Sequence, residues 1–379
     1  MADQETDVIA KLASGISGLN AGAWDRLGAG DPFISHAFLS SLEESRSVGQ
    51  GTGWMPAPIL IEDEADHLLA AAPAYLKTHS QGEYVFDHGW AEAWERAGGQ
   101  YYPKLQIAVP FTPVPGPRLL GSRPQQLLAA AEAVTVHHEI SSAHITFIDE
   151  AGASEAERRG WLIRHGVQYH WFNRGYRSFD DFLGALKHSK RKSIRKERRD
   201  ALEGLEARTL RGSEIGPADW DAMWAFYQDT GSRKWGRPYL TREFFEIIGE
   251  KLGDAVLLML AYRGSRRIAG ALNFVGQDTL YGRYWGCTEE VPFLHFEICY
   301  YRAIEWAIDH GLSCVQAGAQ GEHKVARGYD PVITKSAHFI PNRSFRKAVA
   351  EFVESEREAV AAEFEWLRRE LPYRSSSSE

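Results

Sequence analysis

The sequence predicts an α/β (α+β) fold with two tandem domains of one plan, each a mixed, mostly antiparallel sheet flanked by helices. The length of 379 residues suits two domains. Apolar runs of strand length alternate with helical periodicity in both halves of the chain. A long, charged amphipathic helix is predicted over 344–371. We therefore place an N-terminal domain at 1–174, a C-terminal domain with the expected catalytic cleft at 175–343, and a C-terminal helix and tail at 344–379.

The C-terminal half shows the plan most clearly. Three strands joined by short turns predict an antiparallel meander over 255–263, 267–276 and 279–287. After Pro292, apolar residues spaced by three and four predict a helix that Gly311 ends. A short strand follows that helix, and two further helices are predicted upstream of the meander, over 217–230 and 241–252.

The N-terminal half repeats this order less clearly. A hairpin opens it, and alternating strands and helices follow. The predicted elements are a hairpin at 57–62 and 67–79, strands at 101–110, 143–149 and 167–172, and helices at 123–139 and 154–165. From the order of elements, and not from sequence identity, we infer a weak internal duplication.

Composition restricts the partners and the compartment. The chain has 43 Lys+Arg and 51 Asp+Glu, a net charge of −8, so we predict no DNA partner. Three cysteines without paired spacing favour a reducing compartment. The N-terminal residues do not resemble a signal peptide, and no apolar run approaches the roughly 20 residues that span a bilayer. We expect a cytoplasmic location and leave open peripheral contact with the inner face of the membrane.

A basic segment, 187–199, contrasts with this acidic average, because it holds eight Lys/Arg and one Glu. On a helix, one face would carry Lys187, Arg191, Arg195 and Arg198. We predict that Lys187, Arg191 and Arg195 bind the phosphate of coenzyme A, a lipid headgroup or tRNA. A solvated surface helix is the alternative.

A second candidate anion site lies at 118–124. Gly121 and Ser122 directly precede a predicted helix, whose free N–H groups and dipole favour anions. The segment half-matches the RxxGxG/A loop that binds pyrophosphate in GNAT acetyltransferases, with Arg123 where a small residue is expected. We predict donor binding by Arg118, Gly121 and Ser122, with an ordinary helix start as the alternative.

The densest polar clusters, 294–297 and 317–331, lie at the end of the predicted sheet where strands splay. The candidate catalytic residues there are His295, Glu297, Glu322 and His323. Glu297 or His323 would act as general base, Glu322 would orient it, and strand N–H groups would stabilise an oxyanion. The alternatives are a helix-capping Glu with an ordinary polar loop, or a metal site, which the spacing does not favour. We predict no metal, and an inert buried thiol at Cys299.

Segments that mix aromatic residues with Arg border the same cleft. The predicted substrate-binding residues there are Trp235, Arg237, Tyr239, Arg283, Trp285, Lys324, Arg327 and Tyr329. In the N-terminal half, Asp87 and His88 are the corresponding candidates, expected to face a groove between the domains.

Several segments resemble one bacterial acyltransferase family related to the peptidoglycan FemAB proteins. They are DPFISHAFLSSLE, GEYVFDHGWAEA, YYPKLQIAVPFTPVPGPRLL, LHFEICYY and GAQGEHKVARGYDP. The strand–strand–strand–helix–strand order also resembles the GNAT fold, and its tandem arrangement resembles the Fem-type branch. The Fem resemblance implies transfer of an acyl or aminoacyl group to an amine. The GNAT resemblance implies an acyl thioester donor, no metal and usually no covalent enzyme intermediate.

One loop departs from ordinary GNAT enzymes. CTEEVPFLHFE lacks RxxGxG/A, and Glu289 and Glu290 would repel a pyrophosphate there. We predict an N-acyltransferase without a tightly bound cofactor, whose donor is acyl-CoA or an acyl carrier protein and whose acceptor is an amine, a lipid amine being one candidate. The alternatives are an aminoacyl-tRNA-dependent Fem-type peptidoglycan or peptide ligase, a non-catalytic binding protein on the same fold, and a hydrolase that uses Cys299 or the His/Glu cluster.

Overall fold

The computed structural model describes residues 8–28, 30–235, 238–318 and 321–374, with the backbone alone for 231–235. The described residues form two units. Unit 1 takes its residues from 1–166 and 334–361, and unit 2 takes its residues from 167–333 and 362–379. Each unit is therefore discontinuous in sequence, because the chain returns to unit 1 after residue 333.

The strands are β1 (Val8–Leu12), β2 (Trp54–Pro56), β3 (Ile59–Asp63), β4 (Leu68–Ala72), β5 (Ala74–Lys77), β6 (Lys104–Ile107), β7 (Leu120–Gly121), β8 (Ala143–Ile148), β9 (Leu162–Phe172), β10 (Glu206–Arg211), β11 (Val256–Arg263), β12 (Arg266–Val275), β13 (Thr279–Cys287), β14 (Cys314–Gln316) and β15 (Asp330–Phe339). Apolar, buried runs such as Val256–Tyr262 in β11 give these segments their strand character.

The helices are α1 (Ala21–Asp25), α2 (His36–Glu44), α3 (His88–Arg96), α4 (Pro124–His137), α5 (Glu150–Arg158), α6 (Phe179–Ala185), α7 (His188–Ala201), α8 (Pro217–Trp235), α9 (Arg242–Leu252), α10 (Leu294–Phe296), α11 (Arg302–Asp309) and α12 (Arg343–Arg369). A π-helical turn, Glu297–Tyr301, joins α10 to α11, and a short 3₁₀ turn, Glu322–Arg327, follows β14. Side chains of Ser35, Asp149, Ser178 and Thr241 cap α2, α5, α6 and α9.

Unit 1 contains two sheets. The smaller is antiparallel, in the order β1-β3-β4-β7. In the larger, β2, β5, β6 and β8 are neighbours in that order, β6 and β8 are parallel, and the last residues of β15 pair antiparallel with β8. Helices α4 and α5 contribute to the apolar core against these strands.

Unit 2 has one sheet in the order β10-β11-β12-β13-β14-β9. β10 to β13 form an antiparallel meander, β14 is parallel to β13, and β9 is antiparallel to β14. The core of the unit lies between this sheet and α6, the π-helical turn and α11. Because β14 runs parallel to β13, the segment between them must cross over, and α11 makes that crossover.

The predicted fold class is confirmed: sheets flanked by helices occur in both units, and a long helix lies near the C-terminus. The division at 1–174, 175–343 and 344–379 stays a prediction. Among the described residues, no helix combines the length and apolar character required to cross a bilayer. The cytoplasmic location and the membrane contact therefore stay predictions.

Candidate functional site

Two neighbouring strands of unit 2 separate at the point where the sequence places its polar clusters. The parallel pairing of β13 with β14 covers only Thr279–Tyr281 and Cys314–Gln316. β13 then continues to Cys287, whereas β14 ends at Gln316. On its other edge, β13 has a bulge opposite Leu272 and Asn273 of β12, which makes Arg283 the extra residue. Bulges of this kind are frequent beside active sites. We call this region the strand split.

The helix that crosses from β13 to β14 begins irregularly. Phe293, which directly precedes α10, has a φ of 63°, a left-handed conformation that a bulky side chain rarely adopts. The π-helical turn follows at once, and it holds one residue more than an α-helical turn. As a result, Tyr300 contacts the 3₁₀ turn after β14, whereas Glu297 and Tyr301 contact α7.

Histidine and aromatic side chains from these two segments form one cluster. The Tyr300 hydroxyl and His323 Nε2 are 2.9 Å apart, a hydrogen bond. The His295 ring lies 5.1 Å from the Tyr300 ring, 5.2 Å from the Trp285 ring and 6.3 Å from the His323 ring, measured between centroids. Phe296 stacks on Tyr300. The structure thus brings together two of the four predicted catalytic residues, His295 and His323.

Lys324 is the charged side chain buried beside this cluster. Its side chain is 1% exposed, and Nζ donates a 2.7 Å hydrogen bond to the Gly318 carbonyl. Nζ lies 5.9 Å from the Tyr169 ring and 5.8 Å from the Tyr300 ring. In the part of the chain that the structure describes, no carboxylate forms an ion pair with Lys324.

The environment of Lys324 favours its neutral form. Burial, the largest cause, lowers the pKa of Lys324 to about 7, with a contribution from Arg283 and an opposing effect of Cys299. Near neutral pH the amine is therefore present both with and without its proton. A lysine in that state can accept a proton and then return it, which an ordinary surface lysine cannot do.

Glu297 lies away from the two histidines and is 0% exposed. Its two carboxylate oxygens accept hydrogen bonds from Arg198 Nε at 2.9 Å and Arg198 Nη2 at 3.0 Å. Arg198 also binds Glu305 at 2.8 Å. This geometry makes Glu297 one half of a buried bidentate ion pair that attaches the π-helical turn to α7, with both oxygens occupied.

The Arg198–Glu297 pair supplies a stability prediction. Arg198→Met removes both hydrogen bonds to the buried Glu297 carboxylate and leaves Arg302, 3.8 Å away, as its remaining cation, and we expect the free energy of unfolding to fall by about 3 kcal/mol. Glu297→Gln keeps the shape and leaves Arg198 with Glu305, so we expect a smaller loss. Urea unfolding at neutral pH compares the two variants. Equal losses of unfolding free energy in the two variants would contradict the interpretation that the buried Glu297 carboxylate depends on Arg198 as its counter-charge.

Three other predicted residues surround the 3₁₀ turn. Glu322 is exposed at its start. Arg327 donates hydrogen bonds to the Tyr301 hydroxyl at 2.9 Å and to Glu197 at 3.0 Å, so its guanidinium links the turn to α7. Tyr329 is fully buried. Glu322 directly precedes His323, but in the described part of the chain no hydrogen bond or ion pair joins its carboxylate to either histidine ring, and its orienting role stays a prediction.

A groove of about 440 Å³ opens beside the cluster, along the loop from β13 to α10. Its walls are Trp285, Cys287, Glu289, Glu290, Val291, Pro292, Leu294 and His295. Glu289 forms ion pairs with Arg263 at 2.5 Å and Arg266 at 2.8 Å. These pairs offset one of the two acidic charges that the sequence places in this loop.

The remaining substrate candidates of this half are dispersed. The backbone N–H of Tyr239 donates to the Tyr227 hydroxyl at 3.1 Å. Arg283 is half-buried on the bulge, with its guanidinium 5.4 Å from the Tyr284 ring. Arg237 and the side chain of Trp235 lie outside the described residues.

The basic segment forms α7, and some of its cations are used internally. Lys187 Nζ donates to the Leu371 carbonyl at 3.3 Å, and Arg195 pairs with Asp180 at 2.9 Å on the surface. Arg198 is only 19% exposed, in the pair described above. The predicted donor-binding face is therefore smaller than the sequence pattern indicates.

Of the other cations of α7, Arg199 pairs with Asp200 at 2.9 Å, and four are at least partly exposed and have no ion pair among the described residues. These four are Lys190, Arg191, Lys192 and Lys196. α7 packs against α10, the π-helical turn and the 3₁₀ turn after β14. A positively charged surface thus lies on the helix next to the histidine cluster, and it can attract a phosphate or another anionic group.

The second predicted anion site, in unit 1, is occupied by internal contacts. Arg118 is buried, and its Nη2 donates to the Val114 carbonyl at 2.6 Å. The Ser122 N–H donates to the Leu69 carbonyl at 3.3 Å. Gly121 has a φ of 84°, and an added Cβ would lie 2.4 Å from that carbonyl. The glycine therefore permits close approach of β7 to β4, and the donor-binding role of the three residues stays a prediction.

The candidates near residue 87 belong to a buried charge cluster in unit 1. Asp87 accepts hydrogen bonds from Lys104 and from the Tyr101 hydroxyl, the latter at 2.7 Å, and is almost fully buried. His88 is exposed and stacks on Phe86. Sequence reasoning missed Lys104; a lysine opening the apolar run KLQIAV was the available signal.

More of the site went unrecognised in the sequence. Tyr300 and Phe296, which contact His323, have the helical spacing of ordinary core residues. Asn273 is buried in β12, where it pairs with Gly282 of β13 beside the strand split, and no sequence pattern distinguishes it. Among the described residues, no group of three or more His, Cys, Asp or Glu is placed to hold a metal ion.

Comparison with known proteins decides the family. A model of the FemAB-like family, described as peptidoglycan biosynthesis/recognition, matches residues 15–375. The chain belongs to the FemAB-like family. The resemblance seen in the sequence motifs is thereby confirmed. No curated protein sequence gives a significant match.

Solved structures similar to this FemAB-like chain share its fold. FemX is 11% identical, with a TM-score of 0.52 over 91% of this chain and 100% of its own. L-PGS from Bacillus licheniformis is 10% identical, with a TM-score of 0.50 over 86% and 98%. A conserved protein of unknown function from Bacteroides thetaiotaomicron VPI-5482 is 10% identical, with a TM-score of 0.51 over 88% and 99%. At these identities the likeness shows the fold alone.

Proposed function

We propose that this FemAB-like protein transfers an acyl or aminoacyl group from an activated donor to an amine, at the strand split of unit 2. Family membership and the fold support an enzyme of this general class. The observation that carries the proposal is Lys324, a buried amine whose pKa is lowered to about 7 and which has no carboxylate partner in the described structure. Strongly perturbed groups of this kind are concentrated at catalytic sites.

Lys324 can move the proton that the reaction requires. The acceptor amine attacks the carbonyl carbon of the donor, and a C–N bond forms as the carbonyl oxygen takes the negative charge. Neutral Lys324 accepts a proton from the nitrogen, and its new positive charge stabilises the oxyanion. When the bond to the leaving sulfur or oxygen breaks, Lys324 gives that atom the proton. The Lys324 amine is then neutral again and can act in another cycle.

The histidine cluster would complete the site. His323 is exposed, its Nε2 lies within hydrogen-bond distance of the Tyr300 hydroxyl, and it directly precedes Lys324 in the chain. Glu297, with both oxygens held by Arg198, takes a structural role in this proposal. The aromatic rings of Trp285 and Phe296 would bind the apolar part of a substrate.

For the donor, we propose the thioester of acyl-CoA or of an acyl carrier protein. The unpaired cations of α7 support an anionic donor, since they lie on the helix that packs against α10 and the 3₁₀ turn. Two arginines offset Glu289 in the groove, which reduces the repulsion expected from the sequence. An aminoacyl-tRNA donor fits the same charge, and the experiment separates the two.

The test supplies the purified protein with radiolabelled acyl-CoA, acyl carrier protein and aminoacyl-tRNA, each with a pool of primary amines. We expect label to move from a thioester donor to an amine, and ribonuclease to leave the reaction unchanged. Loss of transfer after ribonuclease would identify the tRNA-dependent ligase instead. If no donor supports transfer, the enzymatic proposal is wrong and a binding protein on this fold remains.

A further inference from the structure

Helix α7 is fixed to unit 2 along one side and exposed along the other. Ile194 and Ala201 are buried. Arg198, on the same side, binds the buried Glu297 carboxylate as described above. The exposed residues recur at intervals of three and four, so they share one face of the helix. They are Ser189, Lys192, Ser193 and Lys196.

This exposed face of α7 is cationic and contains no apolar or aromatic side chain. Lys192 and Lys196 have no ion pair among the described residues, although like charges at i, i+4 destabilise a helix. Arg195 and Arg199 border them, each paired with an aspartate at 2.9 Å. A tight protein partner requires apolar or aromatic anchors, and single-stranded nucleic acid stacks its bases on aromatic rings. The face therefore suits a partner that presents negative charge over an area.

An exposed aromatic side chain lies beside α7. Phe293 is 39% exposed, at the start of α10, which packs against α7. Its ring lies 6.4 Å from the Phe296 ring, measured between centroids. The Arg327 guanidinium lies 3.5 Å from the centre of the Phe296 ring and binds Glu197 of α7 at 3.0 Å. A short series of contacts thus joins the exposed ring to the basic helix.

We propose that α7 and Phe293 dock unit 2 on the surface of an anionic phospholipid bilayer. Such a surface presents many phosphates without a fixed position, and it suits lysines on flexible stems. An aromatic ring adds an apolar contribution in the headgroup region. The inference goes beyond the proposed function, because docking involves no transfer step. Lys190 and Arg191, which are less exposed than Lys192 and Lys196, stay available to the donor.

The test measures binding of the full-length protein to lipid vesicles by co-sedimentation, without donor or acceptor. One set of vesicles is phosphatidylcholine alone, and the other is phosphatidylcholine mixed with phosphatidylglycerol. Each lysine near an anionic bilayer contributes roughly fivefold in affinity, so we expect the wild type to bind the mixed vesicles at least about 25-fold more tightly. Salt at about 1 M shortens the screening length to about 3 Å and should remove the difference.

Charge-reversal variants locate the basic face. Lys192→Glu combined with Lys196→Glu replaces both unpaired cations of the exposed face. Arg343→Glu combined with Lys347→Glu is the matched control, because these two exposed cations have the same i, i+4 spacing on α12 and the net charge changes equally. We expect the first variant to lose at least about 25-fold in affinity for the mixed vesicles and the control to lose less than about fivefold.

A second pair of variants tests the aromatic ring. Phe293→Asn removes the ring, and asparagine tolerates the left-handed backbone at this position. Phe172→Asn is the control, because Phe172 is 38% exposed in the same unit, where β9 pairs with the start of β14. We expect Phe293→Asn to weaken binding by about fivefold and Phe172→Asn to leave it unchanged. Thermal unfolding confirms that each variant folds.

Three outcomes would overturn the inference. They are equal binding to both kinds of vesicle, equal losses in the α7 variant and its α12 control, and binding to tRNA in place of vesicles, which would make α7 a nucleic-acid site. The result is also distinguishable from the proposed function. Docking without transfer from any donor refutes the function and leaves the membrane surface, whereas transfer without docking refutes the membrane surface alone.

Discussion

Lys324→Met is expected to lower the rate of transfer by about 10³-fold, because it removes the group that moves the proton. Methionine fills the same space without a charge, so burial is preserved. Single-turnover measurements with saturating donor separate this loss from weaker binding. Lys335→Met is the control: Lys335 pairs with Glu150 at 2.6 Å in unit 1, and its loss should leave the rate unchanged. A Lys324→Met enzyme within tenfold of wild type would contradict the role.

The same variant tests the state of the amine through stability. Unfolded Lys324 holds its proton up to the ordinary pKa of 10.5, whereas the folded pKa is about 7. Folding therefore releases a proton between about pH 7 and 10, and wild-type stability should rise relative to Lys324→Met in that window. The slope of the difference is at most about 1.4 kcal/mol per pH unit, and below pH 7 the difference is constant. Parallel stability curves from pH 6 to 10 would show that buried Lys324 stays charged.

The sequence predicted the meander and the clustering of His295 with His323 for one physical reason. The alternation of side chains along a strand and the residue types of a turn can be recognised in a short stretch of sequence. Once the strand order is known, two loops at the same end of a sheet are expected to lie close together, as His295 and His323 do. The assignment of Glu297 as a possible base used the same reasoning. It could not include Arg198, which lies 99 residues earlier in the chain and occupies both oxygens of the carboxylate.

The π-helical turn explains why helical spacing alone was insufficient here. Its extra residue changes which side chains share a face, so Glu297 and Tyr301 contact α7 while Tyr300 contacts His323. Lys324 was predicted as a substrate contact in a polar loop, because nothing local shows that tyrosine rings bury it. The return of residues 334–361 to unit 1 is likewise a tertiary property that composition does not reveal.

Lys104→Met is expected to lower the free energy of unfolding of unit 1 by about 3–5 kcal/mol at neutral pH. Lys104 is 0% exposed and contacts two buried carboxylates, Glu83 at 2.7 Å and Asp87. Burial opposes ionisation of Asp87, yet Lys104 and nearby groups hold its pKa below the usual range. Burial raises the pKa of Glu83 to about 7, although the nearby Lys104 and Lys77 both act to lower it. Removing the ammonium leaves the Asp87 carboxylate, and the ionised fraction of Glu83, buried without their main cation.

Acid should reduce the cost of this substitution. Without Lys104 the pKa values of both carboxyl groups rise in the folded state, so they take up protons and become neutral as the pH falls. The difference in stability from wild type should therefore shrink as the pH is lowered from 7 towards 4, where the unfolded carboxyl groups also begin to bind protons. Urea unfolding across that range measures it. A difference that does not change with pH would mean that lost packing, and not unpaired charge, causes the destabilisation.

Lys77→Met is the matched control, since Lys77 pairs with Lys104 across β5 and β6 and is equally buried. Its Nζ lies 3.6 Å from Glu83 and over the Trp54 ring, and burial lowers its pKa to about 7. At neutral pH an amine with this pKa is only about half protonated, so it offsets less negative charge than Lys104 does, and methionine there should cost less than at Lys104. Equal losses of unfolding free energy in the Lys77 and Lys104 variants would show that the burial of the side chain determines stability. The pairing of Asp87 and Glu83 with the Lys104 ammonium would then not be the cause. The expected contrast makes Asp87 a structural anchor of unit 1.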